Sequence, residues 1–279
     1  MTISGKALVA GVMGWPVSHS RSPRLHGFWL EAYGIDGAYV PLSVAPEDFE
    51  QALRALPSLG LRGCNVTLPH KEQTLALADE ADEGARRIGA GNTVVVTDEG
   101  AIRVTNTDAF GFLENLEQRA PAWPVDRPAV VLGAGGASRA VIVGLLEAGV
   151  RELRLANRTA ERAEGLADEF GEAVVAVAWD ERDQALDGAG LVVNTTRLGM
   201  TGQPPLGIAL DPLGDDAVVC DLVYAPLKTD LLHRSAARHL RTVDGLGMLL
   251  HQARPGFAAW FGREPEVTGA LYAYVAEGL

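Results

Sequence analysis

Short apolar runs alternate along the chain with segments whose apolar residues recur at helical spacing. In the first part of the chain, the apolar runs predict strands at Leu8–Met13, Tyr39–Val44 and Leu61–Thr67. Helical spacing predicts helices over Pro23–Tyr33 and Pro46–Leu56. Strands that alternate with helices are typical of α/β proteins with parallel sheets, so we expect that fold class here.

Turn and cap residues add detail to the elements predicted in the first part of the chain. Ser22 precedes a proline, and we expect it to be the N-cap of the helix that the proline begins. The runs Thr93–Val96 and Ile102–Thr105 predict a hairpin around Asp98-Glu99-Gly100. A helix is then expected over about Ala109–Arg119.

The pattern changes after the segment Ala120–Pro128, whose three prolines indicate either a linker or a loop. From Ala129 the chain reads as a strand, a glycine loop, a long helix and a further strand, which is typical of a nucleotide-binding unit. Later strands are expected at Leu153–Ala156, Ala173–Val177, Leu191–Val193 and Val218–Cys220. Two helical patterns close the chain, at Leu246–Phe261 and about Val267–Glu277.

Composition narrows the class of protein. A chain of 279 residues predicts one large or two medium domains. Its formal net charge of −12 argues against nucleic acid and anionic membranes as partners. No apolar stretch reaches the roughly 18 residues of a membrane span, and no signal peptide is apparent. The two cysteines, Cys64 and Cys220, lack metal-ligand spacing, so we expect no metal site and a reduced, cytoplasmic compartment.

The glycine-rich loop Gly133-Ala134-Gly135-Gly136-Ala137-Ser138 is the strongest local signal. It follows an apolar strand and opens a helix, and it is similar to the dinucleotide fingerprint with Ser138 in place of the third glycine. Glycine allows the tight turn and the close approach of backbone to a pyrophosphate, and the helix N-terminus attracts that anion. A turn without a ligand is the competing interpretation.

The end of the next strand indicates which dinucleotide binds. An NAD site usually presents a carboxylate there for the ribose 2′-hydroxyl. This chain instead has Asn157, Arg158 and Thr159, followed by Arg162. A guanidinium pairs with a 2′-phosphate, and the alternative of two solvated arginines is weakened because a helix N-terminus disfavours positive charge. The sequence therefore predicts NADP as the cofactor.

Polar clusters follow the apolar strands of the first half. They are Gly14–Pro23, Asn65–Glu72 and the pair Gly89–Thr93 with Asn106–Phe112. Ligands of open α/β sheets bind at the carboxyl ends of strands, and hydroxyls, amides, one lysine and one aspartate suit a small polyhydroxylated anion. Lys71 is one of only three lysines in the chain, which favours a functional role over a solvated charge.

Over nearly its whole length the chain resembles the shikimate/quinate dehydrogenase family. The motifs that carry the resemblance occur in the family's order: Ser20-Arg21-Ser22-Pro23, Asn65-Val66-Thr67, Lys71, Gly91-Asn92-Thr93, Asn106-Thr107-Asp108, the glycine loop, Asn157-Arg158-Thr159, Asp221-Leu222-Val223-Tyr224, and Asp244-Gly245-Leu246-Gly247-Met248 with Gln252.

The resemblance implies a two-domain α/β fold. A substrate-binding domain would span residues 1–107 and 245–279, and a Rossmann-type NADP-binding domain would span residues 108–244, with the active site in the cleft between them. The proline-rich segment Ala120–Pro128 then becomes a loop inside the second domain.

The resemblance also implies a role for each matching residue. Lys71 and Asp108 would be the catalytic pair. The residues that would bind substrate are Ser20, Ser22, Asn65, Thr67, Lys71, Asn92, Asp108, Tyr224 and Gln252. The residues that would bind NADP are Gly133, Ala134, Gly135, Gly136, Ala137, Ser138, Asn157, Arg158, Thr159, Arg162, Thr196, Leu222 and Gly245.

The implied activity is reversible reduction of 3-dehydroshikimate to shikimate by NADPH, in aromatic amino-acid biosynthesis, by a monomer or a homodimer. Two alternatives stay open: a quinate/shikimate dehydrogenase that uses NAD or NADP, and a non-catalytic protein that binds NADPH or a ring acid. A binding protein needs no proton-transfer pair, so Lys71 and Asp108 argue against the second. Arg197 stands where the family usually has a small hydroxyl, and both a phosphate contact and a solvent-facing side chain are compatible with it.

Overall fold

The computed structural model describes residues 3–279, which form two compact units. The first comprises the chain through Thr107 together with Gln252–Val275, and the second comprises Asp108–His251 and Ala276–Leu279. The sequence-based boundary placed residues 245–251 and 276–279 in the first unit, but they group with the second. Close packing explains the difference for residues 245–251, because a Cβ on Gly245 would lie 2.1 Å from the Leu222 carbonyl oxygen.

The first unit is built on a six-stranded mixed sheet. Its strands are β1 (Leu8–Gly14), β2 (Gly37–Ser43), β3 (Leu61–Val66), β4 (Glu80–Ala81), β5 (Thr93–Val96) and β6 (Ile102–Thr105). Its helices are α1 (Ser22–Ala32), α2 (Phe49–Ala55), α3 (Lys71–Ala76), α4 (Glu83–Ile88) and, from the end of the chain, α10 (Arg254–Phe261) and most of α11 (Gly269–Ala276). The strand order is β2-β1-β3-β5-β6-β4, with β1 parallel to both of its neighbours.

Aromatic packing holds the returning C-terminal segment against this sheet. Trp260 of α10 is buried and donates its indole N–H to the Val94 carbonyl oxygen of β5 at 2.9 Å. Gly63 makes room for it, since a Cβ there would lie 2.4 Å from the Trp260 indole nitrogen. Phe257 packs against Trp29 of α1 at 5.2 Å between ring centroids. The first unit is therefore completed by residues that lie 166 positions or more further along the chain.

The second unit is a six-stranded sheet in which every strand is parallel to its neighbours. Its strands are β7 (Ala129–Leu132), β8 (Leu153–Ala156), β9 (Val174–Val177), β10 (Leu191–Asn194), β11 (Val218–Asp221) and β12 (Arg241–Asp244). Its helices are α5 (Asp108–Arg119), α6 (Gly136–Glu147), α7 (Ala160–Phe170), α8 (Asp230–Ala237) and α9 (Gly245–Gln252), whose last residue groups with the first unit.

Both faces of the second sheet are covered, which explains its continuous apolar strands. Alternate residues of β7 point to opposite faces: Val131 belongs to one buried cluster, and Val130 and Leu132 belong to the other. The strand order β12-β11-β10-β7-β8-β9 is that of the doubly wound dinucleotide-binding fold, with its switch point between β7 and β10. The expected α/β class is therefore confirmed.

Three local predictions need correction. The single helix expected over Leu246–Phe261 is two helices, α9 and α10, because Pro255 lies in the first turn of α10 and proline cannot continue a preceding helix. Ser22 is not an N-cap: it is the first residue of α1, and Arg21 occupies the cap position without a side-chain hydrogen bond. The short helices α3, α4 and α8 and the edge strands β4 and β12 were not predicted.

Among residues 3–279, none of the helices combines the length and the apolarity that a membrane span requires.

Candidate active site

Lys71 begins helix α3, directly after the turn that follows β3. The Thr67 N–H donates to the Met13 carbonyl oxygen of β1 at 2.9 Å, which continues the sheet one residue beyond β3. The Gly91 N–H donates to the Lys71 carbonyl oxygen, also at 2.9 Å. Backbone bonds therefore hold the start of the turn at Thr67 and its end at Lys71, whose side chain is half-buried.

His70 supports the same turn and is buried. Its ring stacks on Phe49 with centroids 4.3 Å apart, and its Nε2 lies 2.9 Å from the Val44 carbonyl oxygen. A carbonyl oxygen only accepts hydrogen bonds, so Nε2 carries the proton in this contact. The buried ring thereby anchors the residue that precedes Lys71.

Asn92 is the centre of a buried polar network. Its side-chain oxygen accepts from the Thr107 N–H at 2.9 Å and from the Thr93 hydroxyl at 2.9 Å. Its side-chain N–H₂ donates to the Gln252 side-chain oxygen at 3.0 Å, and the Thr107 hydroxyl donates to the Gln252 backbone oxygen at 2.8 Å. These bonds tie Gln252 to the loop before β5 within the first unit. The network holds Asn92 and Gln252, two residues predicted to bind substrate, side by side.

Asn65, at the end of β3, is held from both sides. Its side-chain oxygen accepts from the Tyr39 hydroxyl at 2.7 Å. Its N–H₂ donates to the Thr93 hydroxyl at 3.1 Å and to the Asn92 backbone oxygen at 3.3 Å. The amide is 5% exposed, and these bonds fix its orientation.

Tyr39, Thr93 and Thr107 contribute to this site although the sequence did not single them out. Burial raises the pKa of the Tyr39 hydroxyl well above its usual value, so it is a neutral donor, and it also contacts Ser22. Ser22 is buried, and its N–H donates to the Ser20 hydroxyl at 3.3 Å. Thr93 and Thr107 lay inside quoted motifs, which was the available signal; nothing marked Tyr39.

His26 is the least expected polar residue of the first unit. Its ring stacks on Tyr39 with centroids 3.8 Å apart, among Trp29, Phe257 and Trp260. Burial lowers its pKa from 6.5 to about 3, and the nearby Asn65 side chain raises it only in part. Within residues 3–279, neither ring nitrogen has a hydrogen-bond partner. His26 is therefore a neutral, buried ring.

The second unit carries the other predicted catalytic residue. Asp108 is the first residue of α5 and is 8% exposed. A carboxylate at this end is stabilised by the helix dipole. Tyr224, predicted to bind substrate, is half-buried three residues after β11.

The glycine loop joins β7 to α6 as the sequence predicts. Gly133 has a φ of +110°, and a Cβ there would lie 2.7 Å from the Thr195 hydroxyl, so only glycine suits the position. By contrast, a Cβ on Gly135 or Gly136 would meet nothing within 4 Å. The loop therefore presents an open, exposed surface at the N-terminus of α6, where the first helical N–H groups lack helical partners.

Two polar side chains predicted to bind the cofactor also hydrogen-bond to this loop. The Gly135 N–H donates to the Ser138 hydroxyl at 2.7 Å, and Ser138 is fully buried. The Ala134 N–H donates to the Asn157 side-chain oxygen at 3.1 Å. Arg158, Thr159 and Arg162, from the same set, are exposed. Within residues 3–279 the two guanidinium groups have no protein partner.

Asp221 organises the loops after β10 and β11. Its carboxylate accepts from the Asn194 side chain at 2.9 Å, the Val223 N–H at 3.0 Å and the Thr229 hydroxyl at 2.6 Å. Burial raises the pKa of this carboxyl, and the three donors offset that effect in part. Asn194 in turn accepts from the Thr196 hydroxyl at 2.7 Å. Asp221 thus fixes the loops that carry Thr196 and Leu222, and Gly245 lies against the Leu222 carbonyl.

These observations fit a dinucleotide. The open surface above Gly135 and Gly136 leaves room for a pyrophosphate, and the N-terminus of α6 supplies donors and positive potential. No carboxylate ends β8, where Arg158 is exposed without a protein partner. That arrangement suits a 2′-phosphate. The second unit accordingly defines a dinucleotide-binding protein of the Rossmann class.

Comparison with known proteins places the chain more narrowly. A family model described as "Shikimate dehydrogenase substrate binding domain" matches residues 12–94, and one described as "Shikimate / quinate 5-dehydrogenase" matches residues 118–199. A protein of Paramagnetospirillum magneticum named "Shikimate dehydrogenase (NADP(+))" is 60% identical over 98% of this chain and 99% of its own length. The chain belongs to the shikimate dehydrogenase family.

Solved structures agree with this placement. Shikimate 5-dehydrogenase from Thermus thermophilus, in complex with NADP(H) and shikimate, is 39% identical, with a TM-score of 0.86 over 98% of this chain and all of the other. Quinate dehydrogenase from Corynebacterium glutamicum, in complex with NAD, is 33% identical, with a TM-score of 0.90 over 96% of this chain and 98% of the other. The fold is thus shared by enzymes that differ in substrate and cofactor.

Proposed function

We propose that Lys71 and Asp108 are the catalytic residues of an NADP-dependent shikimate dehydrogenase, which reversibly reduces 3-dehydroshikimate to shikimate. The observation that carries this proposal is the placement of Lys71. Lys71 lies in the first turn of α3, and its carbonyl oxygen accepts a hydrogen bond from the Gly91 N–H. Gly91 directly precedes Asn92, the centre of the buried polar network. A lysine fixed beside hydroxyl-binding groups is suited to act on a ring ketone.

Lys71 has the chemistry that the reduction demands. The cofactor, when bound, supplies a hydride to the ketone carbon. Negative charge then develops on the carbonyl oxygen, and a positioned donor lowers the barrier. Lys71 either donates the proton itself or stabilises the alkoxide while water relays the proton. The Asp108 carboxylate orients this exchange and accepts from a substrate hydroxyl.

The remaining residues of the first unit recognise the ring acid. Asn92 and Gln252 are hydrogen-bonded to each other and are fixed in orientation before substrate arrives. Thr67, which follows β3, supplies a hydroxyl. Ser20 and Ser22 bind the carboxylate, with Tyr224 in support. Asn65 holds this set in place through its bonds to Tyr39 and Thr93.

The second unit binds NADP. The loop Gly133–Ser138 holds the pyrophosphate through backbone N–H groups, while Ser138 and Asn157 keep the loop in shape. Arg158 and Arg162, with Thr159, bind the adenosine 2′-phosphate. Thr196, Leu222 and Gly245 lie toward the nicotinamide half.

One assay separates this function from its two alternatives. Reduction of NADP or NAD is followed by absorbance at 340 nm with shikimate or quinate as substrate. We expect turnover with shikimate and NADP, and far less with quinate or NAD. Efficient turnover of quinate with NAD would indicate the quinate enzyme, and tight NADP binding without turnover of either acid would indicate a binding protein.

We further propose that the protein works in the reduced cytoplasm as a monomer or a homodimer. Its cysteines, Cys64 and Cys220, are buried and unpaired, and burial raises the pKa of both thiols, that of Cys64 to about 12. Neither thiol is reactive in that state. Light scattering on the purified protein measures its oligomeric state.

A further inference from the structure

The arginines of the second unit differ in whether they have a protein partner. Most donate to a carboxylate or a carbonyl oxygen, as Arg127, Arg139, Arg154, Arg182, Arg234, Arg238 and Arg241 do. Within the described residues 3–279, the arginines of this unit whose side chains have no protein partner are Arg151, Arg158, Arg162 and Arg197, and all four are exposed. In a chain of net charge −12, unpaired guanidinium groups call for an explanation.

Three of these four arginines follow the strands on either side of the glycine loop. In the second sheet β7 lies between β8 and β10, with Leu132 opposite both Ala156 and Asn194. Arg158 and Arg162 come after β8, and Arg197 comes after β10. In a parallel sheet all carboxyl ends share one edge, so these three side chains start from the edge that carries the loop. Arg151 precedes β8 and starts from the opposite edge.

The turn that carries Arg197 packs on the glycine loop. A Cβ on Gly133 would lie 3.0 Å from the Thr196 methyl carbon, so Thr196 covers the first residue of the loop. The turn itself is rigid: the Asn194 side chain accepts from the Thr196 N–H at 3.0 Å and donates to the Leu198 carbonyl oxygen at 3.1 Å. Arg197 thus stands between two fixed residues beside the predicted phosphate site, and holding its backbone lowers the entropic cost of a contact.

We propose that Arg197 binds the pyrophosphate of the dinucleotide and so strengthens the binding of NADP and NAD alike. The inference rests on the proposed role of the glycine loop. Arg197 lies on the β10 side of β7, whereas Arg158 and Arg162 lie on the β8 side, where the adenosine ribose binds. A guanidinium matches two phosphate oxygens through charge-assisted hydrogen bonds, and the pyrophosphate is common to both cofactors.

The experiment compares dissociation constants for NADP and NAD in the wild type, Arg197→Gln and Arg151→Gln. The Arg151 variant is the matched control, since it removes the same charge from an exposed, unpaired arginine of the same unit at the other sheet edge. We expect Arg197→Gln to weaken the binding of both cofactors by the same factor, about three- to tenfold. That range lies between the contribution of an exposed ion pair and that of a charge-assisted hydrogen bond. The control should change neither, and the difference should shrink at high salt because of screening.

Three results would overturn the proposal. Unchanged affinity in Arg197→Gln would show that the side chain faces water. A loss of affinity confined to NADP would place Arg197 on the 2′-phosphate. An equal loss of affinity in Arg151→Gln would show that the effect comes from the net charge of the unit and not from a contact that Arg197 makes. Turnover of shikimate with NADP by the wild type, measured on the same preparations, tests the proposed function separately, so a failure of one is not mistaken for a failure of the other.

Discussion

The two units differ in how the polar side chains of their predicted sites are held. In the first unit, Asn65, Asn92 and Gln252 are neutral and are hydrogen-bonded to other protein groups before any ligand arrives. In the second, the side chains predicted to meet the cofactor phosphates, Arg158 and Arg162, are charged, exposed and without protein partners in the described chain. We expect the first arrangement to select a small molecule by fixed geometry and the second to attract an anion by charge.

This contrast has an energetic consequence. A buried amide that loses its partners leaves other groups unsatisfied, at a cost of about 1–3 kcal/mol each, so substitutions in the first network should affect folding and substrate binding together. An exposed arginine contributes little to folding, so substitutions in the second set should change cofactor binding alone. Each of the following variants tests one side of this comparison.

Lys71→Ala should have the largest effect. Loss of a general acid typically slows turnover by roughly 10²–10⁴-fold, whereas the half-buried lysine at the start of α3 adds little to stability. Steady-state kinetics with shikimate should therefore show a collapse of kcat and a much smaller change in KM. Lys6→Ala, an exposed lysine of the same unit, is the control. Near wild-type turnover would remove Lys71 from the mechanism.

Asp108→Asn should come next. The amide has nearly the volume of the carboxylate, so packing at the start of α5 is kept while charge and acceptor pattern change. We expect most activity to be lost, by about 10²-fold or more, with a melting temperature near that of the wild type. If activity instead survives and only the melting temperature falls, Asp108 is a structural hydrogen-bonding residue.

Asn92→Ala should damage stability and binding at once. The side chain is 2% exposed and bonds to Thr93, Thr107 and Gln252, which would lose their partner. We expect the free energy of unfolding to fall by about 2–3 kcal/mol and the KM for shikimate to rise. Urea unfolding and kinetics on the same sample measure the two effects. A loss of binding without a loss of stability would contradict the preassembled network.

The same contrast explains what sequence alone could predict. The glycine loop was predictable, because Gly133 has a positive φ and close neighbours that exclude a side chain. The strands of the second unit were also predictable, since a sheet covered on both faces requires continuous apolar runs. Arg158 was predicted to face the cofactor from its place after β8 alone, and that prediction required no knowledge of distant parts of the chain.

The first unit was harder because its contacts join distant segments. The Tyr39 hydroxyl meets Asn65 across 26 residues, and Asn92 meets Gln252 across 160. Nothing local to either residue signals such a pair. Helix α3 has only six residues, too few to show a helical period, so the position of Lys71 at its start was not predicted. Sequence therefore predicted residues for this site without predicting the hydrogen bonds that hold them.

Arg158→Ala tests the charged side of the comparison. The substitution removes the guanidinium donors that would face a doubly charged phosphate. The affinity for NADP should fall by roughly 10- to 100-fold, which corresponds to about 1.5–3 kcal/mol. Binding of NAD, which lacks the 2′-phosphate, should hardly change. KM and kcat/KM for both cofactors at saturating shikimate measure the ratio, and the double variant with Arg162→Ala should show the effect more fully. Equal losses for both cofactors would mean that Arg158 supports the fold or the pyrophosphate.

A substitution of His26 should have the smallest effect, a change in how the free energy of unfolding depends on pH. It tests whether the buried ring stays neutral in the folded first unit. Burial lowers its pKa to about 3 in the folded protein, against 6.5 for an unperturbed histidine, so between these two values the unfolded chain binds a proton that the folded one does not. Stability should therefore fall as pH drops below 6.5, by about 1.4 kcal/mol per pH unit, or roughly 2 kcal/mol at pH 5. His26→Phe keeps a ring against Tyr39 and removes this contribution, while the carboxylates titrate alike in both proteins. Urea unfolding at pH 7.5 and pH 5 should show a smaller loss in the variant; an identical loss in the two proteins would mean that His26 takes up a proton without unfolding.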